Sequence, residues 1–444
     1  MTIVGLPGDK SISHRALLLG MLAEGETVVE GLLQAEDVQA TMAAVRALGA
    51  KVTETGGQGD APIRHRILGT GGALQDPIAA IDCGNSGTLA RLLFGILCAR
   101  EVTACMVGDA SLSSRPMGRV VDPLASELGA AILHRSMHYG ASPRLPLTVS
   151  GRLPNAPLDI SASIASAQVK TAILFAALQA PGMNVVTLPA GSRDHSERML
   201  AAFGVTCTRM LLEGSERISM AGQQRLRAPS EMLVVPRDVS AAAFPLCAIA
   251  GMSAVGTGAD RGYVLPDIGF NPTRDGVLRV LDAMGCELLD AAAGESLEFL
   301  DPQAAEQGFV GEAMRDIRLS PPQVLRPIDC PLAWVPQAID EFPVLFVLAA
   351  KAHGVSTFRA LEELRVKESD RIELMVDGLR RIGVKVESGD DWVTIHGDGR
   401  IAGGNSVPID VALDHRIAMA FAVAGMLADA PVLVGNDSPI MTSF

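Results

Sequence analysis

The stretch Asp37-Val38-Gln39-Ala40-Thr41-Met42-Ala43-Ala44-Val45-Arg46-Ala47-Leu48-Gly49-Ala50-Lys51-Val52 carries the pattern that decides the fold. Polar and apolar residues mix from Asp37 to Leu48, as in an amphipathic helix. Gly49 closes that helix as a C′ residue, and a short apolar strand follows. The same joint recurs at Gly129-Ala130-Ala131-Ile132, Gly204-Val205-Thr206-Cys207, Gly285-Cys286-Glu287-Leu288 and Gly383-Val384-Lys385-Val386. The helices before these joints run near Met117 to Leu128, His195 to Phe203, Thr273 to Met284 and Ser369 to Ile382.

Between them lie helices of another kind, apolar nearly all round. They start near Lys10, Gly87, Ser166, Asp238, Asp340 and Asp414. A helix without a polar face belongs inside the protein. The repeat spans about 70 residues, too long for a common solenoid unit. The order of elements predicts an α/β protein of six βαβαββ-like units with buried central helices, three units to a domain. The polar, then extended, stretch Gln223 to Arg237 marks one crossing between domains. If a first strand from Thr2 to Leu6 joins the later units, a second crossing falls near Gly8 and makes a two-stranded hinge. Domain I is then 1–9 with 234–444, and domain II is 10–233. The pattern also expects a last amphipathic helix after Phe444.

The chain has 444 residues, enough for two or more domains. Hydrophobic residues make up 48% and aromatics only 4%, so aliphatic side chains must fill the cores. A net charge of −13 argues against nucleic acid or an anionic membrane as partner, but not against a small anion held by local cations. Seven cysteines without a Cys-x-x-Cys pair read as reduced thiols of a cytoplasmic protein with no metal site. The start carries no signal-peptide pattern, and no run of about 18 apolar residues predicts a membrane span.

Every candidate for chemistry stands at a helix start, where free N–H groups and the dipole favour anions. In Leu6-Pro7-Gly8-Asp9-Lys10-Ser11-Ile12-Ser13-His14-Arg15, a turn opens into the first buried helix. Ser11 and Arg15 are four apart and share a face. With Lys10 they suit a phosphate or carboxylate. Asn85-Ser86-Gly87-Thr88 combines two polar side chains with a glycine that lets a ligand approach the backbone. Ser113-Ser114-Arg115-Pro116, Ser166-Ala167-Gln168 and Ser192-Arg193-Asp194-His195 add further polar helix starts. Asp340-Glu341-Phe342-Pro343 places two acids before an apolar helix, with Asp340 an N-cap or a general acid or base. Lys367-Glu368-Ser369-Asp370-Arg371 and Asp414-His415-Arg416 complete the set. Each motif alone is met by a capped surface helix. Lys10, Arg15, Arg115, Arg193, Lys367, Arg371 and Arg416 together imply a cleft for polyanions, with Asp340 and Glu368 beside them.

These motifs, in this order along the whole chain, resemble the 5-enolpyruvylshikimate-3-phosphate synthase family. The Ser-Ala-Gln and Ser-Arg-Asp-His forms resemble its second class. The resemblance implies a two-domain inverse α/β barrel, the enolpyruvyl transferase fold, with the active site in the interdomain cleft. It implies transfer of the enolpyruvyl group of phosphoenolpyruvate to the 5-hydroxyl of shikimate 3-phosphate, without cofactor, by a cytoplasmic monomer. By resemblance, Lys10, Ser11, Arg15, Ser166, Ala167, Gln168, Arg193, Asp340 and Lys367 hold shikimate 3-phosphate. Lys10, Asn85, Gly87, Thr88, Arg115, Gln168, Glu368, Arg371 and Arg416 hold phosphoenolpyruvate. Asp340 is assigned as base for the hydroxyl, and Glu368 as acid for the methylene carbon with Lys10 assisting. Gly87 leaves room that the family's inhibitor glyphosate needs, which predicts sensitivity.

Ala167 stands where many members carry a second hydroxyl. The sister transferase acting on UDP-N-acetylglucosamine uses Lys-Asn at the first helix start and a loop cysteine. Here the pair is Lys10-Ser11, and no cysteine lies near Arg115. A non-catalytic anion-binding protein is the other rival, and the intact acids and arginines argue against it.

Overall fold

A computed structural model describes residues 1–57, 62–134, 142–252, 262–300, 311–438 and 440. By internal contacts the chain divides into two units. One comprises Gly8–Val235 with Asp301–Glu312; the other comprises Met1–Pro7, Pro236–Leu300 and Ala313–Phe444.

In the unit built on Gly8–Val235, buried and amphipathic helices alternate as α1 (Lys10–Leu22), α2 (Glu36–Ala47), α3 (Gly87–Cys98), α4 (Gly118–Leu128), α5 (Ala167–Ala177) and α6 (His195–Ala202). Among the described residues three four-stranded sheets surround them, and all three have one plan. A two- or three-residue edge strand runs parallel to the next strand, and the remaining pairs are antiparallel. The parallel pairs are Leu233–Val234 on Glu26–Glu30, Ile81–Asp82 on Thr103–Val107, and Asp159–Ser161 on Met183–Pro189. One apolar core joins the inner faces of the sheets to the three buried helices. The helices α3 and α5 meet backbone to backbone. A Cβ on Gly95 would lie 2.2 Å from the Ala172 carbonyl oxygen, so only glycine permits that approach.

The other unit contains α7 (Val239–Gly251), α8 (Gly276–Ala283), α9 (Phe342–Ala350), α10 (Arg371–Arg381) and α11 (His415–Leu427) around a second core. Its sheets repeat the plan with the edge strand reduced to a single bridge: Thr2 beside Val264, and Asp329 beside Thr357. The bridge of Ile409 to Val434 begins a sixth copy. Thr2 to Leu6 is therefore not a strand. It contributes one bridge, from Thr2, and Gly5 at φ +84° turns the chain out of extended geometry.

Local chemistry explains the boundaries. All five joint glycines have positive φ, from +59° at Gly129 to +112° at Gly49, which closes each amphipathic helix. Asp9, Ser86, Ser166, Asp238 and Asp414 each accept a backbone N–H at the start of α1, α3, α5, α7 and α11. The start of α9 differs. Glu341, not Asp340, holds the N-cap position, and it makes no cap bond. Asp340 closes a tight turn after the short helix Val335–Ala338 and is thereby released from capping. Two amphipathic helices start later than the spacing suggests. Asn271 takes the Thr273 N–H and hydroxyl, so α8 begins at Gly276. Asp370 caps α10 at Glu373, which leaves Ser369 outside. All seven cysteines are free thiols. Among the described residues no single helix is long and apolar enough to cross a membrane.

Candidate active site

The site residues fall into two groups, one on each unit. The first gathers at the starts of α1, α3, α5 and α6. Lys10 opens α1, and its ammonium pairs with the Asp37 carboxylate in the first turn of α2. Arg15, one turn further, is only 2% exposed. Its Nε donates to Ser196 Oγ at 2.8 Å, one Nη donates to Thr171 Oγ1 at 2.8 Å, and the other to the Ser11 carbonyl at 3.0 Å. Burial lowers the guanidinium pKa to about 10, with Glu197 and Asp9 opposing, so it stays charged at neutral pH. Thus α1, α5 and α6 are pinned to one cation. Ser11 contributes its carbonyl to that pin. Ser166 is spent on capping α5, with Ala167 as the first residue of the helix.

Gln168 links α5 to α3. Its Oε1 accepts from Arg91 at 2.9 Å and its Nε2 donates to Thr88 Oγ1 at 3.0 Å. Asn85 links α3 to the loop of Arg115, accepting from Arg115 at 2.8 Å and donating to Asp109 at 2.6 Å. A Cβ on Gly87 would lie 2.6 Å from Arg91 Nη1 and 3.7 Å from Arg115 Nη1. The room at Gly87 therefore borders two guanidinium tips. His14 bridges α2 and α3, with Nδ1 2.7 Å from Thr41 Oγ1 and Nε2 3.4 Å from Ser86 Oγ. Burial first, then Lys10 and Arg15, hold its pKa well below 6.5, so it is neutral. Arg193 is half-buried and follows Ser192, whose hydroxyl donates to buried Glu216. Behind it Lys170 pairs with Glu197 at 2.5 Å and with Glu216 at 3.5 Å, and Arg209 pairs with Glu216 at 2.7 Å.

The second group surrounds Asp340. Lys367 Nζ lies 3.5 Å from its Oδ1 and Arg371 Nη1 3.4 Å; Arg274 Nη1 lies 3.7 Å from its Oδ2. Arg416 Nη1 donates to the Asp340 carbonyl at 2.9 Å. Arg371 is only 1% exposed and lies among carboxylates. Its Nε donates to Asp414 at 2.8 Å and its Nη2 to Glu368 at 2.5 Å. It is an ion-pair hub in this state and not an open anion clamp. Glu368 differs from expectation in the same way. Burial pushes its carboxyl up, but Arg371 and then His415 outweigh burial and hold it at about 2. In this arrangement it is a carboxylate and carries no proton to give.

The structure thus joins Asp340, Lys367, Glu368, Arg371 and Arg416 in one cluster, and Arg15, Asn85, Gly87, Thr88, Arg115 and Gln168 in the network of helix starts. Sequence reasoning missed Asp37, Arg91, Arg274 and the buried Glu341. Arg274 had a signal, because Asn271-Pro272-Thr273-Arg274 precedes a helix as Ser192-Arg193 does. Arg91 had none, since it lies inside an apolar helix.

Comparison with known proteins agrees over the whole chain. A sequence model described as EPSP synthase (3-phosphoshikimate 1-carboxyvinyltransferase) matches residues 2–444. The 3-phosphoshikimate 1-carboxyvinyltransferase of Sphingopyxis alaskensis is 45% identical over 444 residues, covering 99% of this chain and 93% of the relative. That of Zymomonas mobilis is 44% identical over 445 residues, covering 99% and 91%. A solved EPSP synthase from Acinetobacter baumannii superposes with a TM-score of 0.82 at 37% identity, covering 100% of this chain and 93% of that one.

Proposed function

The chain belongs to the EPSP synthase family, and from that premise we propose how its residues divide the work. The reaction transfers the enolpyruvyl group of phosphoenolpyruvate to the 5-hydroxyl of shikimate 3-phosphate in the shikimate pathway. Lys10, Ser11, Arg15, Ser166, Ala167, Gln168, Arg193, Asp340 and Lys367 bind shikimate 3-phosphate. Asn85, Gly87, Thr88, Arg115, Glu368, Arg371 and Arg416 bind phosphoenolpyruvate, and Lys10 and Gln168 serve both. Fixed cations lower the entropic cost of pairing two anions and stabilise developing charge.

The new C–O bond forms when the 5-hydroxyl oxygen attacks C2 of phosphoenolpyruvate while C3 gains a proton. Asp340, with three cations within 3.7 Å, accepts the hydroxyl proton. Glu368 becomes the acid toward C3 only after the substrate draws Arg371 away, because that ion pair keeps the free enzyme's carboxyl ionised. The tetrahedral intermediate then expels phosphate and returns a methyl proton to the Glu368 carboxylate, which restores the double bond and the acid. The observation that carries this reading is the meeting of Asp340, Lys367, Glu368, Arg371 and Arg416 in one cluster. We also read the chain as a second-class member, a reading supported by the resemblance of its Ser-Ala-Gln and Ser-Arg-Asp-His motifs to that class. Glyphosate inhibits it, and it works as a cytoplasmic monomer.

The test is phosphate release on mixing with phosphoenolpyruvate and an acceptor. Release with shikimate 3-phosphate and none with UDP-N-acetylglucosamine is the expected outcome. The reverse pattern would assign the chain to the sister reaction, and added glyphosate in the same assay reads the inhibition.

A further inference from the structure

One fully buried acid of the second group has no part in the scheme above. Glu341 is 0% exposed, at the start of α9, directly after Asp340. Its Oε1 accepts from the Ser240 hydroxyl and lies 3.7 Å from Arg274 Nη2 and 3.6 Å from Arg416 Nη1. Arg274 also donates to Ser240 at 2.5 Å and lies 3.5 Å from Asp238. The two arginines then reach back to Asp340, the proposed base. Arg416 bonds the Asp340 carbonyl at 2.9 Å, and Arg274 lies 3.7 Å from its carboxylate.

We infer that Glu341 is a positioning residue for phosphoenolpyruvate: its buried carboxylate holds Arg416 in the orientation that receives the substrate. The reason is electrostatic. A carboxylate that water cannot reach is stable only with cations at hand, and it fixes those cations in return. A glutamate serves better than a glutamine because the amide would neither attract two guanidiniums nor accept from both with equal strength. Capping does not explain the acid, since Glu341 makes no cap bond to α9. The inference rests on the assignment of Arg416 to phosphoenolpyruvate.

The experiment measures KM for each substrate by phosphate release, with circular dichroism to confirm folding. Glu341→Gln should raise the phosphoenolpyruvate KM on the order of tenfold to a hundredfold, the usual effect of displacing a positioned group. The shikimate 3-phosphate KM should stay near that of the unaltered protein. Glu341→Asp keeps the charge and should recover part of the loss. Arg416→Ala should raise the phosphoenolpyruvate KM at least as far, and the double variant should add little to it, because the two residues act as one. A folded Glu341→Gln protein with an unchanged phosphoenolpyruvate KM, or with both KM values raised equally, would overturn the inference. Additive effects in the double variant would do the same. An Arg416→Ala protein with unchanged KM would instead remove the assignment of Arg416, and this inference with it. If Glu341→Gln does not fold, Ser240→Ala decides. It frees one side of the Glu341 carboxylate and should raise only the phosphoenolpyruvate KM, severalfold; no change overturns the inference.

Discussion

Arg15 and Arg371 are equally buried arginines at the starts of helices, yet their surroundings differ. Arg15 donates to two hydroxyls and a carbonyl, from Thr171, Ser196 and Ser11. Arg371 donates to three carboxylates, from Asp414, Glu368 and Asp340. Neutral acceptors satisfy the Arg15 hydrogen bonds without pairing its charge directly, and the carboxylates of Glu197 and Asp9 act on it without a hydrogen bond, so its charge is offset less than that of Arg371. Carboxylates cancel the charge, so Arg371 can take a substrate anion only by exchanging a partner. Burying an ion pair gains little stability by itself. What it supplies here is a set of acids held at fixed distances from one another. One unit holds a buried arginine among neutral acceptors, and the other holds its buried arginine among carboxylates.

The strongest test of this division is to remove the acids. Asp340→Ala and Glu368→Ala should each lower kcat by about a hundredfold or more, the typical worth of a positioned acid or base. Single-turnover phosphate release on folded protein reads this directly, and near-normal turnover in either variant would break the comparison on the acidic side.

A smaller effect is expected from Arg15→Lys. The ammonium keeps the charge but loses the fork that reaches Ser196 and Thr171 together. The shikimate 3-phosphate KM should rise by about tenfold, near the 1.4 kcal/mol that one charge-assisted bond contributes. The kcat should change much less. A fall in kcat with KM unchanged would show that Arg15 belongs to the chemistry and not to the binding field.

The smallest effect concerns His14, the neutral group between α2 and α3. Its pKa in the folded protein lies below the ordinary 6.5, so the unfolded chain binds the proton more tightly. The stability His14 contributes is present above pH 6.5 and is lost as pH falls toward its folded value. One proton changes stability by at most about 1.4 kcal/mol per pH unit. His14→Gln should flatten the decline of the urea midpoint between about pH 6.5 and pH 5. His65, buried in the same unit and also shifted down by burial, preserves part of the slope. An unchanged slope would mean that His14 takes its proton in the fold as readily as in the unfolded chain.

The repeat was legible in the sequence because its signals are local. A glycine with positive φ after an amphipathic run, and an Asp or Ser before an apolar one, mark boundaries through the chain's own geometry. Neither needs a distant partner, so five joints and six buried helices could be read one at a time. The parallel edge strands could not be read so, because Leu233–Val234 and Ile81–Asp82 are two residues long and exist only where another strand accepts them. The shift of the cap from Asp340 to Glu341 arose from the short helix Val335–Ala338, which no periodicity announces.

The sequence by itself determined the helix–glycine–strand repeat, the family and the positions of the acids and cations, since residue type and spacing suffice for these. Only the tertiary structure decided which cations meet hydroxyls and which meet carboxylates. Arg371 meets Asp414 across 43 residues, and Arg15 meets Ser196 across 181. A charge state depends on what the fold brings within a few ångströms. The ionised Glu368 and the neutral His14 therefore follow from packing; spacing nominated Glu368 without its charge state and gave His14 no role.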